Sequence, residues 1–174
     1  MKLEQKLQQI QLILSDVDGV FTDGGILFDN QGIEAKRFHV RDGLAIRLWR
    51  RVGYRFGVIS GRSSHIVKIR AAEVGVDFLR QGFEEKLPAA QQIMEESGLK
   101  PEQVCYIGDD LPDLALVQYF GLGVAVADAC EDVRKHADYV TKLGGGQGAV
   151  REIVELLLKA QKHWDELIRK YEVS

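Results

Sequence analysis

Five aspartates stand in two short clusters, Asp16-Val17-Asp18-Gly19-Val20 and Gly108-Asp109-Asp110-Leu111-Pro112-Asp113, and each cluster follows directly on an apolar run that reads as a β-strand. Ser60-Gly61-Arg62 follows another such run, and Lys86 opens a stretch with helical periodicity. Taken one at a time these signals are weak, since an isolated Asp-x-Asp most often marks a turn or a helix cap and an isolated lysine usually faces water. Read jointly they supply what phosphoryl transfer requires: a nucleophile, a proton donor for the leaving oxygen, and polar or cationic groups around the phosphate oxygens. Asp16 can attack phosphorus. Asp18, two residues on, can protonate the departing alkoxide and later deprotonate the water that hydrolyses the acyl phosphate. Lys86 and the Ser60 hydroxyl can hold phosphate oxygens. Bringing so many carboxylates together either raises some of their pKa values or calls for a cation, and a hard, oxygen-preferring ion such as Mg²⁺ suits both carboxylate and phosphate.

The elements that must position these residues alternate along the chain. Apolar, partly β-branched runs at residues 12–15, 55–60, 77–79, 104–107 and 122–126, with a further one at 139–141, are separated by segments of helical periodicity such as Leu44, Ile46, Leu48 and Trp49. This pattern predicts an α/β fold, a doubly wound and mainly parallel sheet with helices on both faces, in which function gathers at the carboxyl ends of the strands. After the first strand the order changes. Residues 24–28 and 33–39 flank Asp29-Asn30-Gln31-Gly32 and predict a β-hairpin flap over about 24–39. The glycine-rich stretch 144–148 reads as a flexible hinge or loop before a last helix over about 149–170, with Val150, Ile153, Val154, Leu157 and Leu158 as its apolar stripe.

At 174 residues, one domain over 1–174 is expected. The composition, 45% hydrophobic and 28% charged with 3 Pro, describes a packed globular chain rather than a disordered one. No apolar run reaches the length of about 18 residues that a membrane span needs, and residues 1–11 lack the apolar core of a secretory signal, so a cytoplasmic location is expected. The net charge of -3 gives no electrostatic reason to expect a nucleic-acid partner. Cys105 and Cys130 read as free thiols, and His39, His65, His136 and His163 are too scattered to form a metal site.

The four motifs carry a clear resemblance to the haloacid dehalogenase superfamily. That resemblance implies Asp16 as nucleophile and Asp18 as acid/base. It implies Mg²⁺ held by the Asp16 carboxylate, the Asp18 backbone carbonyl and Asp109, with Asp113 a supporting carboxylate near Lys86 and Asp110 a further neighbour. The gaps between motifs hold only a hairpin plus one helix, and one helix, which marks a branch without a cap domain, whose open site is covered most economically by other subunits. Residues 16–24, Phe38-His39-Val40-Arg41-Asp42-Gly43 through Arg47, Gly61-Arg62 and 145–152 are similar to the 3-deoxy-D-manno-octulosonate 8-phosphate phosphatases, homotetramers that act in making the inner core of lipopolysaccharide. The substrate so implied is a small phosphorylated sugar acid. Its implied contacts are Asp18, the segment His39, Val40, Arg41, Asp42 and Gly43, and Arg47, Arg62, Arg70 and Lys86; arginine suits such a substrate because its fork matches carboxylate and phosphate bidentately.

Local alternatives exist for several of these residues: Arg47 and Arg70 fall in amphipathic helices where an arginine commonly faces water, and Arg41-Asp42 reads also as an ion pair, with Asp42 a fair N-cap. His39 stands where the family usually has Asn, and Gln147 where it often has Arg. Arg62 favours the eight-carbon substrate over the nine-carbon sialic-type 9-phosphates, whose phosphatases tend to carry an acidic residue there. A mutase or phosphotransferase and a non-catalytic binding subunit are the other readings, separable by whether phosphate is released.

Overall fold

The computed structural model describes residues 1–173. Strands β1 (Leu12–Ser15), β4 (Arg55–Ser60), β5 (Phe78–Gln81), β6 (Val104–Gly108), β7 (Leu122–Ala125) and β8 (Tyr139–Val140) form one sheet in the order β5-β4-β1-β6-β7-β8, with every neighbouring pair parallel. A parallel sheet covered on both faces needs unbroken apolar strands, and Leu12, Ile13 and Leu14 in β1 are all fully buried. From β1 the chain runs outward through β4 and β5, then returns to place β6 on the other side of β1. Right-handed crossovers therefore put α2 (Val40–Arg51) and α3 (His65–Val74) on one face and α4 (Lys86–Ser97), α5 (Leu114–Tyr119) and α6 (Glu131–His136) on the other. Helices α1 (Leu3–Gln9) and α7 (Ala149–Ala160) join the first face, where α7 packs on α1 and α2. The reversal between β1 and β6 opens a crevice at their carboxyl ends, the position where open α/β sheets bind ligands.

The flap forms as expected but is slight: β2 (Leu27–Phe28) pairs antiparallel with β3 (Glu34–Ala35), and the Asp29 carboxylate closes the turn by accepting from the backbone N–H groups of Gln31 and Ile33, each at 2.8 Å. The last helix differs from expectation. Its apolar stripe is buried, yet α7 stops at Ala160 and a separate short helix, α8 (Trp164–Ile168), follows. Lys162 takes a left-handed conformation (φ 63°) while His163 N–H donates to Leu158 C=O at 2.8 Å and Lys162 N–H to Lys159 C=O at 3.1 Å. This is a Schellman termination without the usual glycine.

The stretch 144–148 is a packed loop rather than a flexible hinge. Gly144, Gly145 and Gly148 are buried, Gly146 N–H donates to Val20 C=O at 3.0 Å, and a Cβ on Gly145 would lie 1.8 Å from the Gly19 carbonyl oxygen. Only a residue without a side chain allows the two loops to approach so closely. Asp42 is likewise placed differently. His39 caps α2, its Nδ1 accepting from Arg41 N–H at 3.3 Å, and among the described residues no ion pair joins Arg41 to Asp42. Asp42 is buried, and its Oδ1 accepts from Arg151 N–H at 2.8 Å. It thus does for the first turn of α7 what the N-cap residue Gly148 has no side chain to do.

Burial pushes the Asp42 carboxyl up to about 6, against the bond from Arg151 N–H and the nearby His39, Arg70 and Arg151. A folded-state value above the unfolded one favours the protonated folded protein, so this contribution is present below about pH 4 and is lost as pH rises through about 6, an effect of up to about 3 kcal/mol. Asp42→Asn keeps the acceptor and removes the charge. Urea denaturation should show the variant gaining stability relative to wild type between pH 4 and 6, whereas parallel pH profiles would contradict this role for Asp42.

Candidate active site

Asp16 continues the β1 ladder, its N–H donating to Ile107 C=O at 3.0 Å, so its side chain stands at the mouth of the crevice between β1 and β6. The chain then turns sharply, with the N–H groups of Val20, Phe21 and Thr22 all directed to Val17 C=O. Gly19 sits in this turn at φ 94°, and a Cβ there would fall 2.0 Å from Asp109 Oδ2. A side chain at this position would therefore push away the carboxylate that β6 delivers.

Asp113 anchors the opposite wall. Its Oδ1 accepts from Lys86 Nζ and from the Tyr106 hydroxyl, both at 2.6 Å, and its Oδ2 accepts from Asp109 N–H at 3.0 Å. Lys86, at the start of α4 and almost wholly buried, also lies 2.9 Å from Asp16 Oδ1. Burial by itself would push the Lys86 ammonium down, but Asp16 and Asp113 outweigh it and hold it above its ordinary value. Asp110 caps the turn that follows β6, accepting from Leu111 N–H at 2.8 Å.

One ammonium does not balance this cluster. Asp16, Asp109 and Asp113 each bring a carboxylate oxygen within 4.8 Å of the others. Burial and the neighbouring Asp113 push Asp16 up to about 6, and burial with Asp16 and Asp113 pushes Asp109 up to about 8. Among the described residues the buried Asp109 Oδ1 has no hydrogen-bond partner, an expensive condition for a carboxylate oxygen. Because Asp113 is already engaged by four donors, counting Asp110 N–H at 3.4 Å, the oxygens left for a cation belong to Asp16 and Asp109. An all-oxygen, doubly acidic donor set fits a hard divalent cation such as Mg²⁺.

A cavity of about 390 Å³ opens over this cluster, lined by Asp16, Asp18, Ser60, Arg62, Lys86, Asp109, Asp110 and Asp113 among others. The structure thus brings every expected catalytic, metal and supporting residue to one place. Ser60, at the end of β4, is buried and accepts from Arg62 N–H at 3.3 Å. The Asp18 carboxylate meets Lys36 of the flap, and Arg62 Nε lies 3.7 Å from its Oδ2. Lys36 and its neighbour Glu34 went unnoticed in the sequence. Their spacing of two, which puts both on one face of a flap strand, was the available signal.

The other expected substrate residues do not line this cavity. His39 caps α2, Val40 and Arg47 are exposed, and Arg41 borders an open groove with Gln147 and Arg151. Asp42 and Gly43 are buried beneath their neighbours, and Arg70 pairs with Glu73 at 2.8 Å while stacking over Phe38. The physical reason is topological: α2 and α3 cover one face of the sheet, whereas the crevice opens beyond the carboxyl ends of its central strands β1 and β6.

Sheet order, crevice and acidic cluster together define a haloacid dehalogenase-like hydrolase, and the family model of that description matches residues 68–153. The chain is 45% identical over 161 residues, 92% of its length and 86% of the relative's, to the 3-deoxy-D-manno-octulosonate 8-phosphate phosphatase of Escherichia coli (strain K12). The enzyme of the same name from Moraxella catarrhalis, solved in complex with magnesium ion, phosphate ion and KDO, superimposes with a TM-score of 0.95 at 41% identity, covering 97% of each chain. The cobalt-bound deoxy-D-mannose-octulosonate 8-phosphate phosphatase of Haemophilus influenzae gives a TM-score of 0.88 at 41% identity, covering 91% of this chain and 92% of that one. The chain belongs to this family of phosphatases, in the branch without a cap domain.

With Asp16 and Asp109 partly protonated before a cation arrives, binding must expel protons. Mg²⁺ added to weakly buffered protein near pH 7 should acidify the solution, and its affinity should rise as pH climbs toward about 8. Calorimetry in buffers of different ionisation enthalpy measures the release; Asp109→Asn should reduce it, and proton-neutral binding to the unaltered protein would contradict this electrostatic account.

Proposed function

We propose that the protein is a Mg²⁺-dependent phosphatase that hydrolyses 3-deoxy-D-manno-octulosonate 8-phosphate to the free sugar acid and phosphate, as the relatives' names and the magnesium, phosphate and KDO of the Moraxella catarrhalis complex suggest. The observation that carries the chemistry is the contact of Lys86 with Asp16 beside the unpartnered Asp109 oxygen, at the floor of a cavity that Asp18 also lines.

Lys86 Nζ and the Ser60 hydroxyl receive the phosphate oxygens. Asp16 attacks phosphorus; the bond from phosphorus to the sugar oxygen breaks as the aspartyl phosphate forms, and Asp18 gives its proton to that oxygen. Asp18 then takes a proton from the water that attacks phosphorus, and phosphate leaves with Asp16 restored. Mg²⁺, held by the Asp16 and Asp109 carboxylates and, as the family resemblance implies, the Asp18 backbone carbonyl, supplies the positive charge that lets an anionic nucleophile approach an anionic phosphate. Asp113 keeps Lys86 in place. Arg62, on the cavity wall, is the arginine nearest the acid/base and offers a fork to the sugar acid.

The remaining substrate contacts fit an assembly. The flap exposes Leu27, Phe28 and Ile33 by 59–60%, a cluster of apolar surface that favours burial against protein. Val40, Arg41 and Arg47 are also exposed, outside their own cavity. A homotetramer in which each flap and each α2 start closes a neighbour's site accounts for both, with His39, Asp42, Gly43 and Arg70 holding that segment in shape. Among the described residues no helix is long and apolar enough to cross a membrane, consistent with action in the cytoplasm on a lipopolysaccharide precursor.

Asp16→Asn should lower kcat by about 10³-fold or more in a Mg²⁺-dependent phosphate-release assay, and a variant of undiminished activity would refute the nucleophile. Sedimentation velocity at micromolar concentration should show a tetramer, which Phe28→Asp weakens; a wild-type monomer would contradict the assembly.

A further inference from the structure

Next to Asp18 lies a second polar cluster that the phosphoryl chemistry does not use. Glu34, on β3 of the flap, has its Oε2 accepting from the Ser64 hydroxyl at 2.6 Å and its Oε1 accepting from Arg62 Nη2 at 3.0 Å, with Lys36 Nζ 3.1 Å from the same Oε1. The Lys36 side chain is 1% exposed and touches Asp18 as well. A guanidinium, an ammonium and a hydroxyl thus converge on one carboxylate at the rim of the catalytic cavity, since Arg62 lines that cavity. Such convergence is how proteins bind a carboxylate. The anion filling the place comes from the chain itself.

Its tether is slight. The flap pairs only two residues with two, and a lone two-stranded hairpin is marginal in water. Ile26, Leu27, Phe28 and Ile33 are exposed rather than packed on the body. Among the described residues, the ion pairs that join residues 26–37 to the body are those of Glu34 with Arg62, of Lys36 with Asp18, and of exposed Arg37 with Asp23. Elements held by few contacts open most readily, and exchanging one carboxylate for another leaves the donors satisfied throughout.

We propose that Glu34 is an internal stand-in for the carboxylate of the substrate: in the free enzyme it occupies Arg62, Lys36 and Ser64, and the sugar acid displaces it on binding. This rests on the sugar-acid reading above. A competing internal group weakens apparent affinity by the fraction of time that it leaves the subsite open. Lys36, bound to Asp18 and to the subsite together, ties occupancy of the subsite to the position of the acid/base. Esters without a carboxylate have no use for the subsite and do not compete with Glu34.

The test is steady-state kinetics of full-length protein with Mg²⁺ on 3-deoxy-D-manno-octulosonate 8-phosphate and on p-nitrophenyl phosphate. Glu34→Gln keeps the side chain's shape and removes its charge. It should lower the ratio of KM for the sugar-acid ester to KM for p-nitrophenyl phosphate by about threefold or more. The free sugar acid should become a correspondingly stronger inhibitor of p-nitrophenyl phosphate hydrolysis, and Glu34→Ala should move both readouts the same way. A KM ratio that stays level or rises would overturn the proposal, because Glu34 would then only orient Arg62 and Lys36. Wild-type protein active on p-nitrophenyl phosphate but inert toward the sugar-acid ester would overturn the substrate reading, and the stand-in with it.

Discussion

Crowding of negative charge between the ends of β1 and β6 is the constraint to which the rest of the site answers. Asp16, Asp109 and Asp113 bring three carboxylates together, and Lys86 offsets only part of their charge. The groups divide into two roles through hydrogen bonding. Asp113, saturated by Lys86, Tyr106 and backbone N–H groups, is a fixed part of the wall. Asp16 and Asp109 retain the capacity to bind a cation, and the raised Asp109 shows what the cluster costs without one. A divalent ion is therefore as much a part of the electrostatics of this fold as of its chemistry.

Holding such a cluster takes a stiff frame. The reversal of strand order places Asp16 and Asp109 on adjacent parallel strands, and the close-approach glycines set how near their loops come. Gly19 makes room for the Asp109 carboxylate. Gly145, pressed against the Gly19 carbonyl, buttresses the loop after Asp16, and the loop of Gly145 is in turn carried by α7, whose first turn is capped by Asp42 of α2. Support for Asp16 thus runs across the helix layer, from residues that do not line the cavity.

What the sequence made legible follows the range of the interactions. Strands were readable because a doubly covered parallel sheet demands unbroken apolar runs, and the residues after them were readable because chemistry gathers at strand ends. Asp16, Asp18, Ser60, Lys86, Asp109 and Asp113 accordingly meet in one cavity. Features set by tertiary contact were not readable. Asp42 has the residue type of an N-cap for its own helix but serves another helix more than a hundred positions away. The break after Ala160 carries no glycine, and Trp164 and Leu167 prolong the apolar spacing, so periodicity alone ran on through it. Glu34 and Lys36 gain significance only once the flap lies against Arg62 and Asp18, which no local pattern encodes. The separation of Arg41, Arg47 and Arg70 from the cavity is of the same kind.

The most direct measurement is a single-turnover reaction on the sugar-acid ester, quenched in acid and mapped by mass spectrometry of the peptides. A phosphoryl group on Asp16, formed with Mg²⁺ and absent when the ion is chelated, is the result this electrostatic arrangement requires. Phosphorylation of a different residue, or labelling of Asp16 that proceeds equally well without any divalent ion, would contradict it.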